Sequence, residues 1–263
     1  PVVTLPATPS RDYWGALRLT ATAGKVLKEW QCTQVVSTGA LPAVPFMIRA
    51  RGMGLRCHYF ESLARSEGPS TTGRILMRVP GVNLYTQYPG WADSDWHYAG
   101  SVLDSYAPGP TSPRSVERMV VTLGVEKFGF RRLLERLLAV VPADVQVTWQ
   151  TGHTDVTGLD LNAEAFIPSE MLEQRMREAD VVIAHSGVGS ALTAMDNGRC
   201  PVLVPRSAER GEHVDDHQVW IAEELQRRGI GLLAPCEALD WSGLRMAATR
   251  SVVTQVPEPI QLL

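Results

Sequence analysis

The sequence predicts an α/β protein built on parallel sheets and divided in two. Three observations lead there. Short apolar runs such as Gln34–Ser37 (QVVS), Met119–Leu123 (MVVTL) and Val145–Gln150 (VQVTWQ) alternate with stretches of helical periodicity. Strands that alternate with helices form parallel sheets. The alternation stops at Tyr106–Arg114 (YAPGPTSPR), rich in Pro, Gly and Ser/Thr as linkers are, and then restarts. The expected organisation is a Rossmann-like domain over residues 1–105, a linker over 106–116 and a second Rossmann-like domain over 117–263.

Each element has its own justification. Asp12–Trp30 carries apolar residues at helical spacing (Trp14, Leu17, Leu19, Ala21, Val26, Leu27, Trp30) and reads as an amphipathic helix. Gln34–Ser37 is a short strand, and Thr38-Gly39-Ala40 turns into a helix from Leu41 to Met53. Arg56–Ser62 is the next strand and ends at Glu61 and Ser62. A helical piece from Arg74 to Val79 stops at Pro80-Gly81; strands follow at Val82–Tyr88 and Ser101–Asp104. After the linker come strand Met119–Leu123, helix Phe130–Val141, strand Val145–Gln150 and helix Glu170–Arg177, the last capped by Ser169. Ala179–Gly229 then reads strand, Gly/Ser turn, helix, strand, polar loop, helix, with Gly198 and Gly229 stopping the helices. A strand at Gly229–Ala234 and a helix from Ala238 to Val252 finish the pattern.

Composition removes several function classes. The net charge is −3, so no global basic field points to nucleic acid. The four cysteines, Cys32, Cys57, Cys200 and Cys236, form no C-x-x-C pair, and reduced buried thiols fit the cytoplasm. No apolar run approaches the roughly 18 residues of a membrane-spanning helix, and no signal peptide is visible.

Two constellations carry chemistry. The turn His185-Ser186-Gly187-Val188-Gly189-Ser190 sets small residues where a strand gives way to a helix. Backbone N–H groups, hydroxyls and the helix dipole suit an anion there; the alternative is a tight turn that needs glycine for positive φ. It is no P-loop, since no G-K-[ST] follows. Glu212–Gln218 (EHVDDHQ) is either a solvated helix start or a polar loop for sugar hydroxyls. Its histidines match no metal motif, so no metal is expected. Asp93-Ser94-Asp95 resembles the D-x-D that holds a divalent cation in many sugar transferases, but its Gly/Pro surroundings favour a turn. Trp91, Trp96, Tyr88 and Tyr98 beside it form either core packing or a membrane- or sugar-facing surface.

Several motifs then occur in order. Val121–Leu134 (VTLGVEKFGFRRLL), Ala184–Gly198 (AHSGVGSALTAMDNG) and Glu212–Gln218 together resemble the C-terminal domain of GT-B glycosyltransferases of family 28. Val35–Gly54, Phe60–Arg65 (FESLAR), Pro69–Arg74 (PSTTGR) and Tyr85–Trp91 (YTQYPGW) resemble the partner subunit of the two-subunit dolichol-pathway UDP-GlcNAc transferase. The chain thus looks like both subunits fused, and it is also similar to bacterial exopolysaccharide transferases.

The resemblance implies two Rossmann-like domains facing across a cleft, and inverting transfer of a sugar from a UDP-sugar to a hydroxyl of a lipid-linked saccharide. It implies a UDP-sugar site of Gly124, Phe166, Ile167, Ser186, Gly187, Gly189, Ser190, His213, Asp216 and Gln218. Where the family has a ribose-binding Glu this chain has Thr193, so ribose recognition is altered or moved. The acceptor side is expected at Thr38, Gly39, Glu61, Ser62 and Arg65. The family's first strand and Gly-Gly-His loop, with the usual base, are expected ahead of Pro1, which leaves the N-terminal domain incomplete. Glu61 is the in-chain candidate base, and His213 is expected beside the reacting sugar. No cofactor is expected, and peripheral attachment at the inner face of a membrane is an option. A non-catalytic sugar-nucleotide binder and a UDP-sugar epimerase remain as alternatives.

Overall fold

The computed structural model describes residues 2, 4, 5, 12–213 and 217–263. The chain divides into two compact units, residues 1–102 with 258–263, and residues 103–257.

In the first unit, α1 (Tyr13–Glu29) starts where Asp12 Oδ1 accepts a hydrogen bond from Gly15 N at 2.8 Å. Leu19, Ala23 and Leu27 are buried, whereas Trp14 and Leu17 face solvent, so the buried stripe is narrower than the apolar spacing predicts. Then come β1 (Gln34–Ser37), α2 (Ala43–Gly52), β2 (Arg56–Phe60), α3 (Thr71–Leu76), β3 (Val82–Thr86) and β4 (Trp96–Tyr98). The strands form one parallel sheet in the order β1-β2-β3-β4. Met47 of α2 and Leu76 of α3 pack with Cys57, Tyr59, Leu84 and Trp96 of the sheet.

Two expectations are corrected here. The helix before Pro80 starts at Thr71, because Ser70 Oγ accepts from Gly73 N at 3.1 Å. The strand expected at Ser101–Asp104 is a 3-10 turn over Val102–Ser105, and the edge strand is β4 instead. Asp93 causes this: its Oδ1 accepts from Asp95 N and Trp96 N, both at 2.8 Å, and reverses the chain so that Trp96 enters the core. Asp93 and Asp95 therefore make a turn.

In the second unit, β5 (Tyr106–Pro108) precedes β6 (Arg118–Thr122), α4 (Arg131–Val140), β7 (Gln146–Gln150), β8 (Ala163–Glu164), α5 (Ser169–Glu178) and β9 (Val181–Ala184). After these come α6 (Val188–Asp196), β10 (Val202–Leu203), α7 (His217–Arg227), β11 (Leu232–Leu233), α8 (Trp241–Ala248) and β12 (Val252–Thr254). Six strands form a parallel sheet in the order β11-β10-β9-β6-β7-β8. Residues 106–108, linker-like in composition, instead pair antiparallel with 252–254. The terminal helix is shorter than its apolar pattern. It starts at the Asp240 cap, with Gly243 N donating at 2.6 Å, and ends before β12. Ser169 is the first helical residue and gives no side-chain cap.

Both faces of this sheet are covered, as parallel sheets require. Met119, Val121, Val181 and Ile183 pack on one side with Leu133, Leu134 and Leu137 of α4 and Leu244 and Ala247 of α8. Val120 and Val182 pack on the other with Met176 of α5 and Ala194 of α6. All four cysteines are free thiols. Among the described residues, no helix is long and apolar enough to cross a membrane.

Candidate functional site

Topology picks the place. From β6 the second unit builds outward through β7 to β8, then returns to the other side of β6 for β9, β10 and β11. The order reverses between β6 and β9, and ligands of open parallel sheets sit in the crevice at the carboxyl end of such a pair. Gly124 follows β6 and the 185–190 turn follows β9, so the two segments meet there.

The turn is tight for a specific reason. His185 is buried, with its N–H donating to Thr122 O at 3.3 Å and Nδ1 3.4 Å from the same oxygen. A Cβ on Gly124 would lie 2.5 Å from His185 Cε1, and one on Gly187 would lie 2.7 Å from it. Gly124 also has φ +70°. Gly187 does not need glycine for its backbone, whose φ is −72°. The left-handed residue of the turn is Ser186, at φ +61°. The Ser186 hydroxyl is buried without a hydrogen-bond partner. Burial, and after it the charge of Arg206, push the His185 imidazole down to about 4. The turn therefore offers a neutral imidazole, a buried hydroxyl and the first N–H groups of α6.

The neighbouring strand ends support it. Thr122 Oγ1 donates to Gln150 Oε1, joining β6 to β7. Gly152 lets its backbone approach the Gly124 carbonyl, where a Cβ would stand 2.5 Å from the oxygen. Phe130 N donates to Thr154 Oγ1 at 3.0 Å and fixes the start of α4. Ile167 is buried before α5, while Phe166 is 52% exposed with its ring edge-on to His153 at 5.3 Å. Thr193 Oγ1 donates to Gly189 O at 3.0 Å, so its proton is already used within α6.

The loop after β10 is clasped from α4. Arg132 Nε and Nη2 donate to Glu212 Oε1 and Oε2 at 3.0 and 2.9 Å, and its Nη1 donates to Glu237 at 2.7 Å. That hydrogen-bonded carboxylate holds the Arg132 guanidinium above its ordinary range. Glu212 Oε2 also accepts from Ser207 N at 2.9 Å. His213 follows, with Nε2 3.2 Å from Glu126 Oε2 and its ring 5.5 Å from Phe128. Gln218 is buried, and its Oε1 accepts from Arg206 N at 3.0 Å, so this expected sugar contact is turned to the main chain. Asp216 lies outside the described residues.

In the first unit, Thr38 and Gly39 follow β1, and Glu61, Ser62 and Arg65 follow β2, at the carboxyl ends of adjacent strands. Glu61 is 1% exposed. Its Oε1 accepts from Ser62 N at 2.9 Å and Tyr59 Oη at 3.3 Å, and its Oε2 accepts from Ser70 N at 2.8 Å. Burial, and next the Glu61 charge, push the Tyr59 phenol up. This geometry is that of a carboxylate anchoring the 61–70 loop at the start of α3.

The sequence brought Gly124, Phe166, Ile167, Ser186, Gly187, Gly189, Ser190 and Thr193 into view, and the fold sets them along one sheet edge. Glu126, Phe128, Arg132 and Arg206 were not singled out, although the first three lie within the Val121–Leu134 motif and Arg206 is a cation directly after the buried run V-L-V-P. Among the described residues, no group of three or more His, Cys, Asp or Glu side chains is placed to hold a metal.

The chain is similar to known proteins. Residues 122–235 match the glycosyltransferase family 28 C-terminal domain. The chain is 25% identical over 236 residues to the UDP-N-acetylglucosamine–N-acetylmuramyl-(pentapeptide) pyrophosphoryl-undecaprenol N-acetylglucosamine transferase of Geobacter metallireducens, a match covering 81% of this chain and 62% of that one. A segment of 68 residues is 38% identical to the UDP-N-acetylglucosamine transferase subunit ALG13 of Yarrowia lipolytica, over 26% of this chain and 33% of that one. The chain thus spans less than two thirds of these relatives. In structure it is similar to MurG of Acinetobacter baumannii, with TM-score 0.59 and 19% identity over 95% of this chain and 76% of that one. The α/β fold of GT-B type expected from the sequence is the fold observed.

Proposed function

Because residues 122–235 match the glycosyltransferase family 28 C-terminal domain, we propose that this chain transfers a sugar from a UDP-sugar to a hydroxyl of a lipid-linked saccharide, with inversion at the anomeric carbon. The acceptor oxygen forms a bond to that carbon as the bond to the β-phosphate oxygen breaks. UDP leaves with the electron pair, and the acceptor proton passes to a base. The carbon becomes oxocarbenium-like, as in glycoside hydrolysis, so the main demand on the protein is to stabilise the negative charge of the departing diphosphate.

One observation carries the reading: the β6–β9 switch point with Gly124, neutral His185, Ser186 and the N-terminus of α6 converging on it. Helix N-termini and small-residue turns bind phosphates through backbone N–H groups. On this reading Phe166 and Ile167 present backbone groups to the base, and Ser190 and Thr193 line α6. His213, paired with Glu126, works on the sugar or its phosphate together with Asp216 and Gln218. Thr38, Gly39, Ser62 and Arg65 belong to the acceptor side. Glu61 acts through the loop it anchors, which moves the base away from the position the sequence suggested.

Calorimetry with UDP on the wild type and on Gly187→Val tests the nucleotide site. Binding to the wild type alone is expected; equal affinity, or none in the wild type, overturns it. Incubation with UDP-N-acetylglucosamine and a lipid-linked saccharide then separates the readings. Free UDP with a glycoside supports transfer, an epimer assigns the protein as an epimerase, and no product from a protein that binds UDP assigns it as a binder.

A further inference from the structure

Arg206 carries a charge that forms no ion pair among the described residues. It follows β10 and is 1% exposed. Nη2 donates to Leu123 O at 2.7 Å and Phe128 O at 3.0 Å, gripping both sides of the loop that joins β6 to α4. Nε and Nη1 have no hydrogen-bond partner, and no carboxylate stands within ion-pair distance among the described residues. The two acids whose charge reaches it are hydrogen-bonded elsewhere, Glu212 to Arg132 and Glu126 to His213. The Phe130 ring lies 5.9 Å away and offers only weak compensation.

A buried cation without an anion is costly, and arginine does not shed its proton. Loop anchoring alone would be met by a neutral donor. The position of this cation is informative. It sits under the loop bearing Gly124, and its charge reaches His185, where it adds to burial, the larger cause, in keeping that imidazole neutral. Close by in sequence to that imidazole, the Ser186 hydroxyl is also buried and unpartnered.

Resting on the diphosphate reading above, we propose that Arg206 is a positioning and specificity residue that makes this site prefer a nucleoside diphosphate over the bare nucleoside. Its buried charge is completed when a diphosphate settles over Gly124 and the 186–190 turn. Arg206 acts from beneath, through the field and through the two carbonyls it holds, and not as a surface ligand.

The test compares UDP and uridine by calorimetry on the intact wild type, Arg206→Met and Arg206→Lys. In Arg206→Met, UDP affinity is expected to fall by about tenfold or more while uridine affinity stays within about twofold. Arg206→Lys keeps the charge and is expected to keep most of the preference. Equal losses for UDP and uridine would reduce Arg206 to a structural residue, and no loss would remove it from the site; either overturns the proposal. If the wild type binds no UDP, the reading of the site fails first, before any variant is measured. Should Arg206→Met not fold, Arg206→Lys decides: a preference collapsed to that for uridine, with uridine binding intact, overturns the role of charge.

Discussion

Gly187 and His185 exclude any larger residue between them: a Cβ on Gly187 would stand 2.7 Å from His185 Cε1, inside contact distance of a buried ring. The glycine is there for space, since its backbone is ordinary at φ −72°. Gly124 meets the same ring and adds φ +70°. Gly187→Ala and Gly124→Ala are expected to cost about 1–3 kcal/mol through overpacking and to weaken UDP binding. Gly189 has open space where its Cβ would go. Gly189→Ala is expected to leave stability unchanged or raise it by up to about 1 kcal/mol while still weakening UDP binding, because the methyl would enter the open space that the proposed site gives to the phosphate. Urea melts beside calorimetry check both halves.

His185 makes stability depend on pH. Its imidazole is pushed down to about 4 from 6.5, so between these values the unfolded chain binds a proton that the folded chain does not. Stability contributed by the neutral ring is therefore complete above about 6.5 and is lost as pH falls towards about 4, amounting to roughly 3 kcal/mol. Urea midpoints at several pH values should fall across this window for the wild type and fall less for His185→Asn. An equal slope in both would refute the assignment.

The Arg132–Glu212 clasp is bidentate and partly buried, with side chains 24% and 11% exposed. Arg132→Met leaves Glu212 with Ser207 N alone. A loss of about 1–2 kcal/mol is expected, discounted from the fully buried case for solvent access. Faster amide exchange across residues 207–213 should accompany it. Adding Glu212→Gln should recover part of the loss, as a double-mutant cycle would read.

Glu61 separates anchoring from catalysis. Glu61→Gln replaces one accepting oxygen by a donor facing Ser62 N, Tyr59 or Ser70 N. A stability loss of about 1–3 kcal/mol is expected, with turnover reduced by less than about tenfold. General-base loss would instead cost about 10²–10⁴ in rate. Single-turnover rates on a folded variant distinguish the two.

Much of this was legible in the chain. Apolar runs at the periods of strand and helix fixed the parallel α/β class, because those periods are local. The HSGVGS turn could be found because it sets small residues at a strand–helix junction and the EHVDDHQ loop because it gathers titratable and amide groups, whereas the role of Gly124 came with the family resemblance. Local reading failed where a single side chain redirected the backbone. Asp93 sent Trp96 into the core and made β4, and Asp240 shortened the last helix.

Sequence by itself determined where strands end and which of those ends carry residues suited to phosphate and sugar. Tertiary structure alone decided which ends meet. The strand order places β9 against β6, so His185 comes up beside Gly124 across 61 positions of chain. It also decided the roles of charged groups. Arg132 is answered by Glu212, while Arg206, equally basic in sequence, is buried with two nitrogens unmet. The reason is physical: a charge acquires its function from distance and desolvation, and neither is encoded in the spacing of residues along the chain.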